Sequence, residues 1–525
     1  MATNLRVNNG NKAPLLAASA MVISAPAAAS IDTAVESMLA PVAAALSAFV
    51  FAKLPIFGYE IPWIVLWLAV AASFFTLYLG FINIRGFALA LRLVRGDYHD
   101  PKAPGEISHF QAVATAVSGT VGVGNIGGVA VAIVIGGPGA AFWLIVAGFL
   151  SMSTKLVECT LGVKYRKYNP DGSVSGGPMY YLEHWLSSRG KPGLGKGLGK
   201  FYALSMVIGC LGIGNMFQSN QAYVQFVSIT GGEASFFADK GWLFGLAIAL
   251  VVGLVIIGGI RSIAAVASKI VPFMAVLYLC SALVIVILSA EHIPAAIELI
   301  VSSAFSVESA TGGMIGAIIV GFQRALFSNE AGLGSASIAH SAVQTDHPAS
   351  EGLVSLLEPF IDTVVICTLS SLVIVVTAYP AGLMDQGLEG IALTSAAFEH
   401  HVSWAPYPLA VAALLFAFST AVAWSYYGLK AWTYLFSEHP VSEGIFKLAF
   451  CAFLAIGCMI QLQAVLDFAD AMVFLISVPN ILGLYLFAPE VKKEVASFIA
   501  KVKSGEVHNY RRDGVPTAAD AVRGV

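Results

Sequence analysis

The sequence predicts an all-α polytopic membrane protein of about eleven transmembrane helices, and three observations predict it. Charged residues make up 11% of the 525 and hydrophobic ones 58%, whereas an ordinary soluble domain carries about 25% charged residues. Long apolar runs recur through most of the chain, and each crossing needs about 20 such residues. Two of the runs are interrupted at matching places by glycine-rich, polar segments. The formal net charge of −3 is near neutral and points to no nucleic-acid partner. Cys159, Cys210, Cys280, Cys367, Cys451 and Cys458 fall inside apolar runs without CxxC or Cys/His metal spacing. They read as small buried residues rather than disulfide partners or ligands.

At the N-terminus, Arg6 and Lys12 precede an apolar run, Leu15 to Ile23, that is followed by Ala-Pro-Ala-Ala-Ala-Ser. This is the pattern of a cleavable export signal over 1–29; a low-complexity alanine-rich tail is the alternative. Residues 30–60 read as an extracytoplasmic segment. Within them 31–52 form an amphipathic or interfacial helix, because Asp32, Glu36 and Pro41 interrupt any span. The transmembrane domain covers 61–490, and 491–525 form a cytoplasmic tail. Its first span is 61–84. The others fall at 108–135, 139–163, 201–229, 241–260, 268–290, 312–342, 352–378, 404–436, 444–464 and 466–488. The middle of 312–342 is too polar for a simple helix.

Loop charge orients these spans. With the N-terminus outside, the cytoplasmic loops and tail hold 19 Lys and Arg, while the opposite loops from Gly136 onward contain only Lys240. The positive-inside rule then places the N-terminus out and the C-terminus in, which an odd span count requires.

Spanning helices break only where protein or a wet cavity satisfies the freed backbone. The first break lies in Gly119-Thr120-Val121-Gly122-Val123-Gly124-Asn125-Ile126-Gly127-Gly128. The second lies in Phe327-Ser328-Asn329-Glu330-Ala331-Gly332-Leu333-Gly334-Ser335. With 61–84 set aside, the spans divide into five and five, about 108–290 and 312–488, and each set opens with a broken helix. Five is odd, so the second set enters from the opposite side. Interrupted helices at matching places in inverted halves point to a midplane transport site. Close helix packing is the other reading of a single glycine run.

The wording of these segments resembles the alanine or glycine:cation symporter family. The stretches that carry the resemblance are GTVGVGNIGGVA from Gly119, DGSVSGGPMYYLE from Asp171, GNMFQSN from Gly214 and VPFMAVLY from Val271. They continue with FQRALFSNEAGLGSASIAH from Phe322, FIDTVVICTL from Phe360, FAFSTAVAWSYYG from Phe416 and PNI from Pro479. The resemblance spans about 61–490. It implies a five-plus-five inverted repeat shared with the neurotransmitter:sodium symporters, with one extra N-terminal helix. It also implies import of alanine or glycine with sodium, occasionally with protons. The expected setting is the inner membrane, the expected form a monomer, and the only cofactor the coupling ion itself.

A zwitterionic amino acid needs partners for its carboxylate and its ammonium. The half-helix after Gly124 presents free N–H groups and a positive dipole end, which suit a carboxylate. The substrate site is therefore expected at Gly122, Gly124 and Asn125, with the glycines in backbone angles that side chains oppose. Thr120 offers a hydroxyl or carbonyl to a cation. By the resemblance, Ser419 and Thr420 on the eighth core helix complete a sodium site with carbonyls of the first. Trp424, one turn beyond Thr420, and Phe327 bound the pocket and limit side-chain size, unless they face lipid. Gln218 bonds the substrate or a neighbouring helix. Of the other intramembrane charges, Lys155 and Glu158 neutralise each other, and Glu358 with Asp362 binds a cation or forms a proton path. Arg324 and Glu330 pair across the second break, while Asp467 and Asp470 lie near an interface without a special role.

An enzyme is disfavoured: no HExxH, GxSxG or Cys/His cluster is present. A proton-coupled permease and a channel remain as alternatives, since polar midplane residues serve both.

Overall fold

The computed structural model describes residues 45, 47–56, 59–306 and 313–513. The expected signal over 1–29 lies outside them, as does most of the expected interfacial helix. Lys53–Ile56 and Tyr59–Pro62 pair as an antiparallel hairpin.

Eleven spans follow among the described residues, each broken pair counted as one. Trp63–Tyr78 comes first. Next is a broken pair, His109–Thr120 with Val123–Gly136, bent by 60°. Gly139–Lys164, Pro192–Ile229, Gly241–Ile256 and Gly259–Leu288 complete the first set of five. The second set opens with Gly313–Asn329 and Ser335–His340. It continues with Pro348–Ala378, Pro406–Leu435, Pro440–Gly457 and Leu462–Ser504. The last helix runs unbroken into the expected tail, despite Pro479 and Pro489 inside it.

Local chemistry sets several of these boundaries. Ser108 caps His109–Thr120 through a capping box with Gln111, satisfying first-turn N–H groups that have no partner in the helix. Pro192, Pro348, Pro406 and Pro440 open their helices at positions where a missing N–H costs nothing.

With no water to drive helices together inside a bilayer, association relies on close packing through small residues. A Cβ on Gly321 would stand 2.7 Å from Trp143 and 2.8 Å from the Ala140 carbonyl. That seats Gly313–Asn329 directly against Gly139–Lys164. The exposed Leu246, Leu250 and Leu254 on Gly241–Ile256 give the outer layer an apolar surface for lipid. Pro406–Leu435 is by contrast an interior helix, with Ser419, Thr420, Trp424 and Tyr427 all buried. The broken spans are thereby held at the centre. Cys280 is exposed and Cys451 only partly buried, correcting the reading of all six cysteines as buried.

Candidate functional site

At the first break the α-helix stops at Thr120. Gly122 is extended (φ −124°, ψ −167°), one short 3-10 turn covers Val123–Asn125, and helix resumes at Gly127. The N–H groups released here are capped by side chains. Gly122 N–H donates to Asn125 Oδ1 at 2.9 Å, and Val123 N–H donates to Gln218 Oε1 at 2.9 Å. Gln218 is itself anchored by donating to the Ile213 carbonyl at 3.0 Å.

Neither Gly122 nor Gly124 has a positive φ, which corrects the expected backbone angles. The need for glycine at Gly122 is close approach. A Cβ there would stand 2.8 Å from both Gln218 Oε1 and Thr420 Oγ1. At Gly124 it would meet the Phe327 ring at an ordinary 3.7 Å.

The second break does use the left-handed region, at Glu330 (φ 57°), Gly332 (φ 94°) and Gly334 (φ 79°). Its N–H groups are also capped: Gly332 and Gly334 donate to Glu158 Oε1 at 2.7 and 3.0 Å. Asn480 donates to the same oxygen at 2.7 Å. Glu330 accepts from the Ser335 hydroxyl and, at 2.8 Å, from the Trp424 indole. Trp424 and Phe327 are both buried, so neither faces lipid. Phe327 packs edge-on against Phe217, with ring centroids 5.5 Å apart.

Asp362 joins the two breaks. Its carboxylate accepts the Asn125 amide at 2.6 Å, the Ser328 hydroxyl at 2.8 Å and the Thr363 hydroxyl at 2.6 Å. Sequence reasoning noticed Asp362 as an intramembrane charge but paired it with Glu358. Ser328 and Thr363 were missed; their place beside the break and beside Asp362 was the available signal.

Of the expected cation ligands, Thr420 donates to the Ser118 carbonyl at 2.9 Å, and Ser118 Oγ donates to the Ser419 carbonyl at 2.7 Å. Ser419 Oγ bonds back to Phe416 at 3.1 Å. Thr120 Oγ1 bonds back to the Val117 carbonyl at 3.4 Å and touches neither of the others through that hydroxyl. The structure thus brings Gly122, Gln218 and Thr420 together, and separately Gly124, Phe327 and Phe217.

Two other expected pairings differ. Arg324 is bonded to Asp470 rather than Glu330, so Asp470 has a structural partner in the interior. The left-handed turn at Glu330 directs that carboxylate to Trp424 instead. Lys155 faces Glu358 at 3.4 Å, while Glu158 caps the second break.

Residues 45–512 match the sodium:alanine symporter family. The sodium/alanine symporter AgcS of Methanococcus maripaludis is 39% identical over 451 residues, covering 85% of this chain and 96% of that protein. The amino-acid carrier protein AlsT of Bacillus subtilis is 34% identical, covering 85% and 92%. The probable sodium/glutamine symporter GlnT of the same organism is 32% identical, covering 84% and 88%. Among solved structures, MhsT in complex with L-phenylalanine superposes with a TM-score of 0.51 at 17% identity. The match covers 74% of this chain and 98% of that one, and it supports the fold alone.

Proposed function

The chain belongs to the sodium:alanine symporter family, and from that premise we propose that it imports alanine or glycine together with sodium by alternating access. It is a multi-pass membrane protein whose relatives are named as transporters rather than enzymes. The proposed setting is the inner membrane, with the N-terminus outside and the basic loops in the cytoplasm.

The observation that carries this reading is the capping of Gly122 and Val123 N–H by the side-chain oxygens of Asn125 and Gln218. A bound substrate carboxylate replaces those side-chain oxygens on the same N–H groups. The freed Asn125 and Gln218 then turn to the ligand, so no buried backbone donor is left unsatisfied in either state. The substrate ammonium faces the C-terminal, negative end of Gly313–Asn329 and the Asp362 carboxylate. Phe327, Phe217 and Trp424 are the aromatic walls of the proposed pocket and favour a short side chain. Buried Gly128 supports space beside the second half-helix, since a Cβ there would meet no atom within 4 Å.

Sodium takes oxygen ligands, and Thr420 Oγ1, Ser419 Oγ and the carbonyls of the first broken span supply them. Thr420 lies beside Gly122, so the ion and the unwound backbone share a wall. Binding sodium there fixes the break in the shape that receives the carboxylate, which couples the two. Calorimetric titration of alanine and of leucine into purified protein, in sodium and in potassium, tests the reading. Alanine should bind in sodium only and leucine not at all; equal binding in potassium would refute the coupling.

A further inference from the structure

Five ionisable side chains that the proposed site leaves unused lie end to end in the interior. His109 Nδ1 contacts Glu351, whose other oxygen contacts His340 Nδ1. His340 Nε2 contacts Glu358, and the second oxygen of Glu358 stands 3.4 Å from Lys155 Nζ. Lys155, His340, Glu351 and Glu358 are completely buried. The outer end is reachable: His109 lines a cavity of about 320 Å³ together with His99, Ser108, Tyr510 and Arg511. The His99 and His109 rings are 6.4 Å apart. The inner end is the second break, because Glu158, one turn from Lys155, caps Gly332 and Gly334.

Among the described residues, Lys155 Nζ, Glu158 Oε2 and Glu358 Oε2 make no hydrogen bond although all are buried. Donor and acceptor capacity is therefore unspent where the chain ends. Cys159 lies within 4.8 Å of His340 and Glu358. Glu330 and Tyr427 face the same centre. Arg166 stands at the outer end on the Ser341 and Val343 carbonyls, and Asp100 stands by His99. Glu158, Glu330, Glu351 and Glu358 outnumber Lys155, so an added proton reduces an excess of buried negative charge.

We propose that His109, Glu351, His340 and Glu358 form a proton relay from this cavity to Lys155, so that the carrier binds a proton from the face bearing its basic loops. Cavity water gives a proton to His109 Nε2 while Nδ1–H passes to Glu351 Oε2. Glu351 releases the proton shared on Oε1 to His340 Nδ1, and His340 Nε2–H passes to Glu358. One proton enters and Glu358 gains one; no other bond changes. Neutral Glu358 releases Lys155 to turn toward Glu158, which loosens the cap on Gly332 and Gly334. Sodium remains the driving ion. The link to transport, though not the relay itself, rests on the function proposed above.

Difference infrared spectroscopy of the reconstituted protein tests this without any substrate. On acidification from about pH 8 to 5, the range in which imidazoles titrate, the carbonyl stretch of a newly protonated buried carboxyl should appear. Glu358→Gln should remove it, and His109→Gln should keep it while slowing its appearance about tenfold or more. Absence of the band in the wild type would overturn the relay. So would a band unchanged in size in Glu358→Gln, or unchanged in rate in His109→Gln. If Glu358→Gln does not fold, the wild-type band and its rate in His109→Gln decide. In a parallel assay, sodium-driven alanine uptake should change with pH in the wild type and less so in His340→Gln. A normal band without alanine uptake would refute the transport reading and leave the relay standing.

Discussion

Asn125 donates its side-chain amide to the Asp362 carboxylate at 2.6 Å, tying the break of the first repeat to the second helix of the second repeat. The same Asn125 caps Gly122 through its other side-chain atom. A charge in one half of the molecule is thereby connected to unwound backbone in the other. Asp362→Asn keeps an acceptor but removes the charge. It should weaken alanine binding at saturating sodium about tenfold or more, equivalent to about 1.4 kcal/mol. Unchanged affinity by calorimetry would take Asp362 out of the site.

Gly122→Ala and Gly124→Ala should differ sharply. A methyl at Gly122 would crowd Gln218 and Thr420 at 2.8 Å, whereas one at Gly124 makes ordinary contact with Phe327. Alanine gains about 0.8–1.0 kcal/mol over glycine in a regular helix, so an unbroken span would tolerate either change. Gly122→Ala should lose alanine binding at least tenfold while inserting normally, and Gly124→Ala should stay within about threefold. The reverse order in a binding assay would misplace the substrate.

Thr420→Ala should raise the sodium concentration for half-maximal uptake several-fold, more than it raises that for alanine. It removes a hydroxyl oxygen that lies 2.8 Å from the Cβ position of Gly122. Ser419→Ala should have the smaller effect, because Ser419 Oγ is held back on its own helix. Sodium titrations of uptake read both.

Asp470→Asn should destabilise by about 3–5 kcal/mol, since it leaves Arg324 buried beside a neutral partner. Arg324→Met together with Asp470→Asn should recover much of that loss. Thermal unfolding in detergent, with no substrate present, would show it; equal melting of the single and double variants would contradict the pair.

The spans and both breaks were legible because long apolar runs and the glycines that interrupt them are local signals. Asn125, Gln218, Phe327 and Trp424 were found by standing at or beside the breaks. Their partners were not legible. Asp362 and Glu358 are four apart in sequence, yet Asp362 binds Asn125 and Glu358 binds His340. Arg324 and Glu330 are close in sequence, but the left-handed Glu330 turns its carboxylate to Trp424. The two breaks also looked alike and are built differently. The first is an extended link with a 3-10 turn, where glycine answers crowding; the second depends on positive φ.

Sodium-driven movement of a small amino acid is read by the uptake of radiolabelled alanine into proteoliposomes. With an inward sodium gradient, alanine should accumulate above its outside concentration and saturate with dose, and accumulation should collapse when sodium is replaced by potassium. Uptake that merely equilibrates, or that proceeds equally without sodium, would contradict the account.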